Sequence, residues 1–371
     1  MLARAGPTHM HPCCQHPALK VSCLLFSIRV ISNPLYIDCI DDNCTYNLTG
    51  AYAQGWTSSW SRIGVLAKIK NEAQIIREWM EHHIAEGISV FVLVDNNSSD
   101  GTSDVIRSVA GNQSDLVVAL KRRTRESQET MHIFNELLPM IRKITDWVLP
   151  IDPDEFVYLR GRKFSHLPHF FHSLNHSISQ VLLPYKLFGS SGHLSHPDGV
   201  TSHFFKRMYN CNSDSTVNHL EPRPLEGGRT HPVKGLWCKG NRFVGKTAVR
   251  TISLLKLRLH CHHVRHQTVD TYAGHRPGHW YGKCDEDILA SSVLHLNHYI
   301  LQSWERYAKI KLSRGEPEPQ LQWRSKNTYL QMDMDLNTVW DTELALKQCL
   351  RSAKNRTEDE NYDHCKGRYP L

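Results

Sequence analysis

The chain has 371 residues, 40% of them hydrophobic, and its 44 Lys and Arg against 37 Asp and Glu give a formal net charge of +7. This length and apolar content can bury the core of one large domain or two ordinary ones, which excludes a disordered chain. The mild positive charge favours anionic partners such as nucleotide phosphates. Because Lys121–Arg123 is the longest Lys/Arg block, and no zinc-finger or RNA-binding signature occurs, we expect no nucleic-acid partner.

Residues 1–60 carry scattered Pro, Cys, Asn and Gly without a sustained period, and we interpret them as a leader or stem. The apolar stretch at residues 21–31 is interrupted by Arg29 and is shorter than the ~20 residues of a spanning helix. A signal-anchor stub and a disordered leader both stay open, so membrane association through the N-terminus is one alternative.

Glycosylation sequons and cysteines bear on the cellular location. The sequons begin at Asn43, Asn47, Asn112, Asn175 and Asn355, and the chain has 11 cysteines. Both features are compatible with an oxidising secretory compartment. They favour the secretory pathway, the Golgi or another membrane-associated location, while the cytoplasm stays open.

From residue 61, strands and helices alternate along the chain. Apolar runs typical of buried strands occupy residues 62–70, 88–94, 116–120 and 147–151. Apolar side chains at helical spacing lie between them, at residues 73–86, 102–109 and 127–143. This alternation predicts an α/β fold with a parallel sheet and right-handed crossovers.

Beyond Phe156 the pattern becomes mixed. We predict short strands near residues 180–183, 202–208 and 251–262, an apolar strand at 293–299 and a helix at 302–313. The composition after residue 315 is polar. The predicted organisation is a leader at 1–60, a main domain at 61–315 and a polar, helical or loosely packed tail at 316–371.

Polar side chains follow three of the predicted strands. In parallel α/β sheets, ligands bind outside the carboxyl ends of the strands, so we expect these side chains to share one edge. The three groups are Asn71 with Glu72, Asp95 with Asn96, and Asp152 with Asp154.

The pair of aspartates is the most informative of these groups. Asp152 and Asp154 flank Pro153, which has no N–H and ends the strand ladder there. Two carboxylates at a strand end suit Mg²⁺ or Mn²⁺. A turn without function would explain this pair alone, but the convergence of three strand ends favours a metal site.

No G-x-G-x-x-G follows the first strand, and no G-x-x-x-x-G-K-[ST] occurs. A dinucleotide fold and a P-loop are therefore excluded, and phosphate must be held by metal and side chains. Asp95 can accept hydrogen bonds from a uracil or a ribose, or it can cap its own turn. Asn71 and Glu72 can likewise bind a ligand or cap the first helix.

Five motifs occur in the order found in family-2-like glycosyltransferases, and the chain most resembles glycosyltransferase family 92 over about residues 63–315. The resemblance implies a Rossmann-like GT-A fold, a nucleotide-sugar donor, a glycan acceptor and a divalent metal, usually Mn²⁺, with Mg²⁺ as the alternative. The motifs are Lys70–Glu72, Asp95–Thr102, Asp146–Phe156, Leu187–His193 and His295–Tyr299.

The resemblance also implies roles for single residues. Asp152 and Asp154 match the D-x-D motif and would hold the metal, with His298 as a third ligand or a diphosphate contact. Proline between the two acids departs from the usual pattern and leaves the fine ligand geometry open. The nucleotide-sugar side would be formed by Asn71, Glu72, Asp95 and Asn96, and the acceptor side by Gly192 and His193.

Transfer to a hydroxyl also needs a base, usually a carboxylate. Glu155 is counted with Asp152 and Asp154 among the candidate catalytic residues, because it follows the two acids directly. The other candidates for the base, which the sequence does not rank, are Glu221, Asp285, Glu286 and Asp287.

The predicted function is metal-dependent transfer of a hexose such as galactose from a UDP-sugar to a glycan hydroxyl, with inversion. One alternative is a sugar nucleotidyltransferase, which should carry a Gly-rich basic loop where this chain has Asn71 and Glu72. Another is a catalytically inactive relative that binds glycans or metal.

Overall fold

A computed structural model describes residues 35–39, 60–113, 116–121, 127–161, 163–209, 224–225, 229–230, 246–258, 262–265, 269–270, 289–290, 292–313, 324–353 and 358–369. The predicted leader lies outside these ranges, apart from residues 35–39 and residue 60. None of the helices within them is long and apolar enough to span a bilayer.

The strands and helices are numbered in chain order. The strands are Leu35–Cys39 (β1), Ile63–Ile69 (β2), Val90–Asp95 (β3), Leu116–Lys121 (β4), Trp147–Pro150 (β5), Glu155–Leu159 (β6), Gln180–Leu183 (β7), Tyr185–Leu187 (β8), Lys206–Arg207 (β9), Pro224–Leu225 (β10), Arg229–Thr230 (β11), Lys246–Arg250 (β12), Leu254–Lys256 (β13), His263–Val264 (β14), Val269–Asp270 (β15), Leu294–His298 (β16) and Val339–Trp340 (β17). The helices are Ile76–Ala85 (α1), Thr102–Gln113 (α2), Ser127–Glu136 (α3), Leu138–Ile144 (α4), Leu167–His172 (α5), Trp304–Arg306 (α6, continued by a π-helix at Tyr307–Leu312), Lys326–Leu336 (α7), Glu343–Ser352 (α8) and Glu358–Arg368 (α9).

The largest sheet of the described residues has the strand order β1-β4-β3-β2-β5-β12-β7-β15. Its first five strands are parallel, whereas β12 runs antiparallel to both β5 and β7. The predicted α/β fold, a mostly parallel sheet of GT-A type with a mixed C-terminal half, is therefore confirmed.

Strand β3 is buried along its whole length because helices cover both faces of the sheet. Phe91 and Leu93 join the larger apolar cluster, which also contains Trp79 of α1. Val92 lies in the second cluster on the other face, with Ile141 of α4. The two-residue period of a strand thus sends alternate side chains into two cores.

Three predictions of element length are wrong. The helix predicted at residues 127–143 is divided at Leu137, because Pro139 has no N–H and is accommodated in the first turn of a new helix, α4. The strands predicted near residues 202–208 and 251–262 are shorter. Backbone turns, closed by hydrogen bonds from His203 to the Val200 carbonyl and from Ser253 to the Arg250 carbonyl, replace part of each.

A smaller sheet, β6-β16-β8, lies beside the carboxyl edge of β5. Strand β16 is antiparallel to β6, which places His298 opposite Glu155, and parallel to β8, which places His298 opposite Leu187. A bridge between Phe188 and Arg207 then leads to the antiparallel pair β9-β17. These pairings bring distant segments of the chain to the acidic strand end.

The polar segment after residue 324 packs on the domain. The side chain of Asp341 lies 2.9 Å from Lys186 Nζ and 2.7 Å from Arg207 Nε, and a disulfide joins Cys349 of α8 to Cys365 of α9. Charges of this segment therefore pair with charges of the domain. The predicted division of domain and tail at residue 315 stays a prediction.

Buried histidines on α1 predict a pH dependence of stability. The Nε2 of His82 lies 2.8 Å from the Val157 carbonyl and its Nδ1 lies 3.0 Å from the Gln348 amide nitrogen, so both nitrogens are satisfied in the neutral ring. Burial lowers the pKa of His82 from 6.5 to about 3. The unfolded chain therefore binds a proton near pH 6.5 that the folded chain does not bind until about pH 3.

The stability that neutral His82 contributes is present above pH 6.5 and is lost as the pH falls toward 3. We expect the free energy of unfolding, measured with urea between pH 6.5 and 5, to fall by about 1.4 kcal/mol per pH unit for each such histidine. In a His82→Gln variant, the free energy of unfolding should depend less steeply on pH, by the contribution of one histidine. An unchanged slope would contradict this prediction.

Candidate active site

The acidic turn after β5 is closed by Glu155. The Glu155 N–H donates to the Asp152 carbonyl (3.0 Å), and the Asp152 N–H donates to Glu155 Oε2 (2.8 Å). Glu155 is fully buried, and its Oε1 accepts the Tyr185 hydroxyl (2.6 Å). Oε2 therefore closes the turn and Oε1 joins it to β8, while the predicted catalytic role of Glu155 stays a prediction.

Asp154 and His298 face each other beside this turn. Asp154 Oδ1 lies 3.5 Å from His298 Nε2, and both side chains are 15% exposed. The Tyr299 N–H donates to the Asp154 carbonyl (2.8 Å), which holds the end of β16 against the turn. Within the described part of the chain, the buried Nδ1 of His298 has no hydrogen-bond partner. Two of the predicted metal ligands are thus brought together.

Two lysines contact the aspartates. Lys311 Nζ lies 2.7 Å from Asp154 Oδ2, and Lys246 Nζ lies 3.0 Å from Asp152 Oδ2 and 3.7 Å from Glu155 Oε2. Neither lysine was predicted from the sequence to lie at this site. Their proximity depends on the pairing of β12 with β5 and on the course of the chain after α6, for which no local pattern gives a signal.

The charges in the site follow from these contacts. Burial alone would raise the pKa of Asp154, but Lys311 and His298 outweigh it and hold that pKa well below its ordinary value. Burial raises the pKa of Glu155, which Lys246 opposes only in part. Burial would lower the pKa of Lys246, but Asp152 and Glu155 outweigh it and raise that pKa. Asp154 is thus an anion and Lys246 a cation at neutral pH.

A divalent metal fits this site only with help from a substrate. Among the residues that the structure describes, no group of three or more His, Cys, Asp and Glu side chains could hold a metal ion. Asp154 and His298 offer two facing donors, and the buried Nδ1 of His298, which has no hydrogen-bond partner among the described residues, lies 3.8 Å from Glu155 Oε1. Magnesium is typically held by one or two carboxylates together with substrate phosphates. Asp152 is half-exposed and contacts Lys246.

The predicted nucleotide-side loops after β2 and β3 are joined to each other. Asn71 has a left-handed φ of 54°, its side-chain oxygen accepts the Ser99 N–H (2.8 Å), and its own N–H donates to Ser98 Oγ (2.9 Å). The Glu72 N–H donates to Thr102 Oγ1 (2.8 Å). The side chain of Asn71 thus binds the neighbouring loop, and α1 has no side-chain cap.

Asp95 and Asn96 lie at the end of β3 and are buried. Asp95 Oδ1 accepts the N–H (2.9 Å) and the hydroxyl (2.6 Å) of Ser98, and Asp95 Oδ2 accepts the Ser103 hydroxyl (3.1 Å). The Asn96 N–H donates to the Ile69 carbonyl (2.8 Å). With these contacts Asp95 caps its own turn, which is one of its two predicted roles. The other role, binding of a nucleotide, stays a prediction.

The predicted acceptor-side loop is held by helix α7. The N–H and the hydroxyl of Ser190 both donate to Asp333 (2.7 Å each). Gly192 is exposed with a φ of 89°, a conformation that favours glycine, and a Cβ there would meet no atom within 4 Å. His193 is half-buried, with Nε2 3.2 Å from the His203 carbonyl. No local pattern in the sequence indicates this role of Asp333.

Helix α6 connects the acceptor-side loop with the nucleotide-side loops. The Trp304 N–H donates to the His193 carbonyl (3.3 Å), and Arg306 forms a buried ion pair with Glu72. Arg306 Nη1 also lies 3.4 Å from Gln74 Oε1. The structure therefore brings the acidic turn, the two strand-end loops and the acceptor-side loop to one side of the sheet. The other candidates for the base, Glu221, Asp285, Glu286 and Asp287, lie outside the described residues.

The chain matches a family of glycosyltransferases. A profile of glycosyltransferase family 92 matches residues 66–348. The chain belongs to glycosyltransferase family 92, which confirms the predicted family and the predicted enzyme class.

A curated glycosyltransferase family 92 protein of rice, Oryza sativa subsp. japonica, is 27% identical over 158 residues. The matched segment covers 42% of this chain and 26% of the rice protein. The chain thus matches about a quarter of the length of that relative.

Solved structures resemble parts of the chain at low identity. Residues 1–349 of Staphylococcus aureus TarS are 13% identical, covering 51% of this chain and 47% of that chain, with a TM-score of 0.29. A Pyrobaculum calidifontis mannosyltransferase in complex with GDP-Man and Mn²⁺ is 22% identical, covering 35% and 39%, with a TM-score of 0.26. The Mycobacterium tuberculosis glucosyl-3-phosphoglycerate synthase in complex with Mn²⁺ and UDP-glucose is 18% identical, covering 34% and 44%, with a TM-score of 0.23. Such low scores indicate a distant likeness.

Proposed function

We propose that this chain is a metal-dependent glycosyltransferase that moves a hexose such as galactose from a UDP-sugar to a glycan hydroxyl, with inversion. The observation that carries the proposal is the facing pair of Asp154 and His298, 3.5 Å apart at the carboxyl edge of the sheet. Family membership supports the transferase class. The inverting outcome follows from the family resemblance.

Asp154 and His298 are the side chains that would hold the divalent ion, Mn²⁺ or Mg²⁺, with Asp152 as the second carboxylate. When bound, such an ion stabilises the negative charge that develops on the diphosphate leaving group. Glu155 acts as a positioning residue, because its Oε2 closes the turn that carries both aspartates and its Oε1 binds this turn to Tyr185 of β8.

Lys246 and Lys311 suit the same leaving group. Both ammonium groups lie within 3.0 Å of an aspartate oxygen, and the raised pKa of Lys246 keeps it charged at neutral pH. Ammonium groups bind phosphate as mobile point charges. In our proposal the lysines balance the aspartates before the donor binds and contact the diphosphate afterwards.

The nucleotide and the acceptor are assigned to opposite sides of α6. We assign Asn71, Glu72, Asp95 and Asn96 to the nucleotide-sugar side, where hydrogen bonds to Ser98, Ser99 and Thr102 hold the two strand-end loops together. Gly192 and His193 are assigned to the acceptor side, and the open space at Gly192 allows a bulky glycan to approach the backbone.

We also propose that the protein works in the secretory pathway. The disulfide between Cys349 and Cys365 supports this location, because disulfides persist in oxidising compartments and are rare in the cytosol. Expression in a secretory host and in a cytosolic host, followed by thiol counting, tests it. A protein that folds and functions fully with both cysteines reduced would contradict the proposal.

The central test combines a donor screen with calorimetry. Nucleoside diphosphate release is measured for a panel of nucleotide sugars, and UDP binding is measured with and without Mn²⁺. We expect one UDP-hexose to be turned over and Mn²⁺ to strengthen UDP binding. A His298→Ala variant should lose most of that strengthening, since it removes one of the two facing donors.

The matched control is His132→Ala, because His132 is a surface histidine on α3 whose side chain is 77% exposed. It should behave as the wild type in both measurements. If Mn²⁺ does not strengthen UDP binding, the metal-bridged site is wrong. If no nucleotide sugar in the panel is consumed, the transferase function itself is wrong.

A further inference from the structure

An exposed aromatic surface lies on the pair of strands β9-β17. Trp340 is 51% exposed, its ring stacks on Phe205 (centroids 6.5 Å apart, 29° between planes), and Lys206 Nζ lies 5.0 Å from its centroid. Tyr369, which follows α9, packs edge to face against Phe205 (ring centroids 5.5 Å apart, 64° between planes). We call Trp340, Phe205, Lys206 and Tyr369 the aromatic platform.

The aromatic platform is joined directly to the acceptor-side loop. The N–H groups of Phe205 and Lys206 both donate to Ser191 Oγ (2.8 Å each). Ser191 precedes Gly192 in the chain and has a left-handed φ of 53°, so its hydroxyl position is set by the same tight turn. The platform and the proposed acceptor side are therefore parts of one surface.

Backbone pairing also relates the platform to the acidic turn. His298 pairs with Leu187, the next residue Phe188 bridges to Arg207, and Arg207 pairs with Val339 beside Trp340. Three strand spacings of about 4.8 Å separate His298 from the strand that carries Trp340, which is roughly 14 Å of sheet. A ligand that reaches both places must be an extended molecule of several units.

The platform is held rigidly from below. Asp341, the neighbour of Trp340, donates its N–H to the Phe205 carbonyl (2.7 Å), and its carboxylate binds Arg207 and Lys186. A ring fixed in advance loses little conformational entropy on binding. Leaving a tryptophan half-exposed in such a rigid setting forgoes apolar burial, which is typical of a binding surface.

We propose that the aromatic platform binds the acceptor glycan at sugar units remote from the transfer site, an inference that rests on the proposed function. A pyranose ring has a face of C–H groups with small positive charge, and the face of an indole is negative, so the two stack. Lys206 supplies three N–H donors for the hydroxyl groups at the rim of the sugar. The platform thereby selects long neutral glycans over short ones.

The test measures binding without transfer. Labelled neutral oligosaccharides of graded length are titrated into the full chain, and the dissociation constants of wild type and Trp340→Ala are compared. We expect Trp340→Ala to weaken binding of the long oligosaccharides about tenfold, in the range of a lost aromatic contact. Binding of a monosaccharide and of UDP should not change. Trp340→Leu keeps an apolar side chain without a π face and should weaken binding in the same way.

Trp60→Ala is the matched control. Trp60 is 40% exposed and packs on the rings of His166 and His169, and it precedes β2 at the opposite end of the strands. This variant should bind every oligosaccharide as the wild type does. Because the assay needs no donor, its result stands even if no transferase activity is found.

Three results would overturn the inference. The first is unchanged binding of long oligosaccharides by both Trp340 variants, and the second is no binding of any oligosaccharide by the wild type. The third is a loss of self-association in Trp340→Ala, seen by sedimentation, with sugar binding intact, which would assign the platform to a second copy of this chain.

Discussion

Asp154→Asn is expected to lower the rate of hexose transfer by about 10³-fold, because several kcal/mol of charge stabilisation at the leaving group depend on this carboxylate. Asparagine keeps the shape of the side chain, while the negative charge that faces His298 and Lys311 is lost. The measurement is the initial rate of nucleoside diphosphate release with the donor found in the screen. Calorimetry should show in parallel that Mn²⁺ no longer strengthens UDP binding.

The matched control for this variant is Asp104→Asn. Asp104 is a surface aspartate on α2, with a side chain that is 81% exposed and an ion pair to Arg107. It should retain the wild-type rate and the wild-type response to Mn²⁺. Wild-type activity in Asp154→Asn would show that the acidic turn is structural and that the reaction takes place elsewhere.

The parallel core could be predicted from the sequence because short, continuous segments of the chain encode its strands. Strands β2 and β3 are buried on both faces, so they read as continuous apolar runs, and the polar residues after them mark where each strand ends. The same pattern gave the position of the acidic turn. The break between α3 and α4 was also encoded locally, by Pro139, although helical spacing continued across it.

The partners of the acidic turn could not be predicted from local pattern. Lys246 contacts Asp152 because β12 lies antiparallel beside β5. Lys311 contacts Asp154 from a segment that comes much later in the chain. Strand pairing over such separations depends on the whole fold. His298 was found through the order of motifs in a known family, and its spacing alone gave no indication.

Composition did not indicate the contacts of the segment after residue 324. Its polar residues predicted a helical or loosely packed tail and gave no partner for Asp333, which holds the acceptor-side loop, or for Asp341, which binds two buried cations. A count of charges does not distinguish those that face water from those that pair inside a fold. For Asp95, the sequence allowed both capping and ligand binding, and the hydrogen bonds to Ser98 belong to capping.

The buried charges around Asp341 lead to the largest expected effect on stability. Its carboxylate is 8% exposed and lies 2.9 Å from Lys186 Nζ and 2.7 Å from Arg207 Nε, whose side chains are 4% and 10% exposed. Asp341→Asn would remove the negative charge that lies between these two buried cations. Breaking a buried ion pair by removing one partner typically costs about 3–5 kcal/mol. We expect a loss of that size in the free energy of unfolding, measured with urea at pH 7.

The effect should depend on pH in a defined direction. Burial alone would raise the pKa of Asp341, but Lys186 and Arg207 outweigh it and lower that pKa below 3.8. A depressed folded-state pKa contributes stability above the unfolded value, and this contribution is lost as the pH falls through the folded value. The difference between wild type and Asp341→Asn should therefore be constant above about pH 5 and shrink below about pH 4.

Asp104→Asn again serves as the control, because its ion pair with Arg107 is even shorter, at 2.5 Å, but lies at the surface. Surface ion pairs contribute about 0–1 kcal/mol, so this variant should unfold almost as the wild type does. If both variants lost the same small amount, the buried pair would contribute no more than a surface pair. The segment after residue 324 would then be attached to the domain by its apolar contacts, such as those of Leu336 and Leu344, and the charges beneath the aromatic platform would not be needed to hold it.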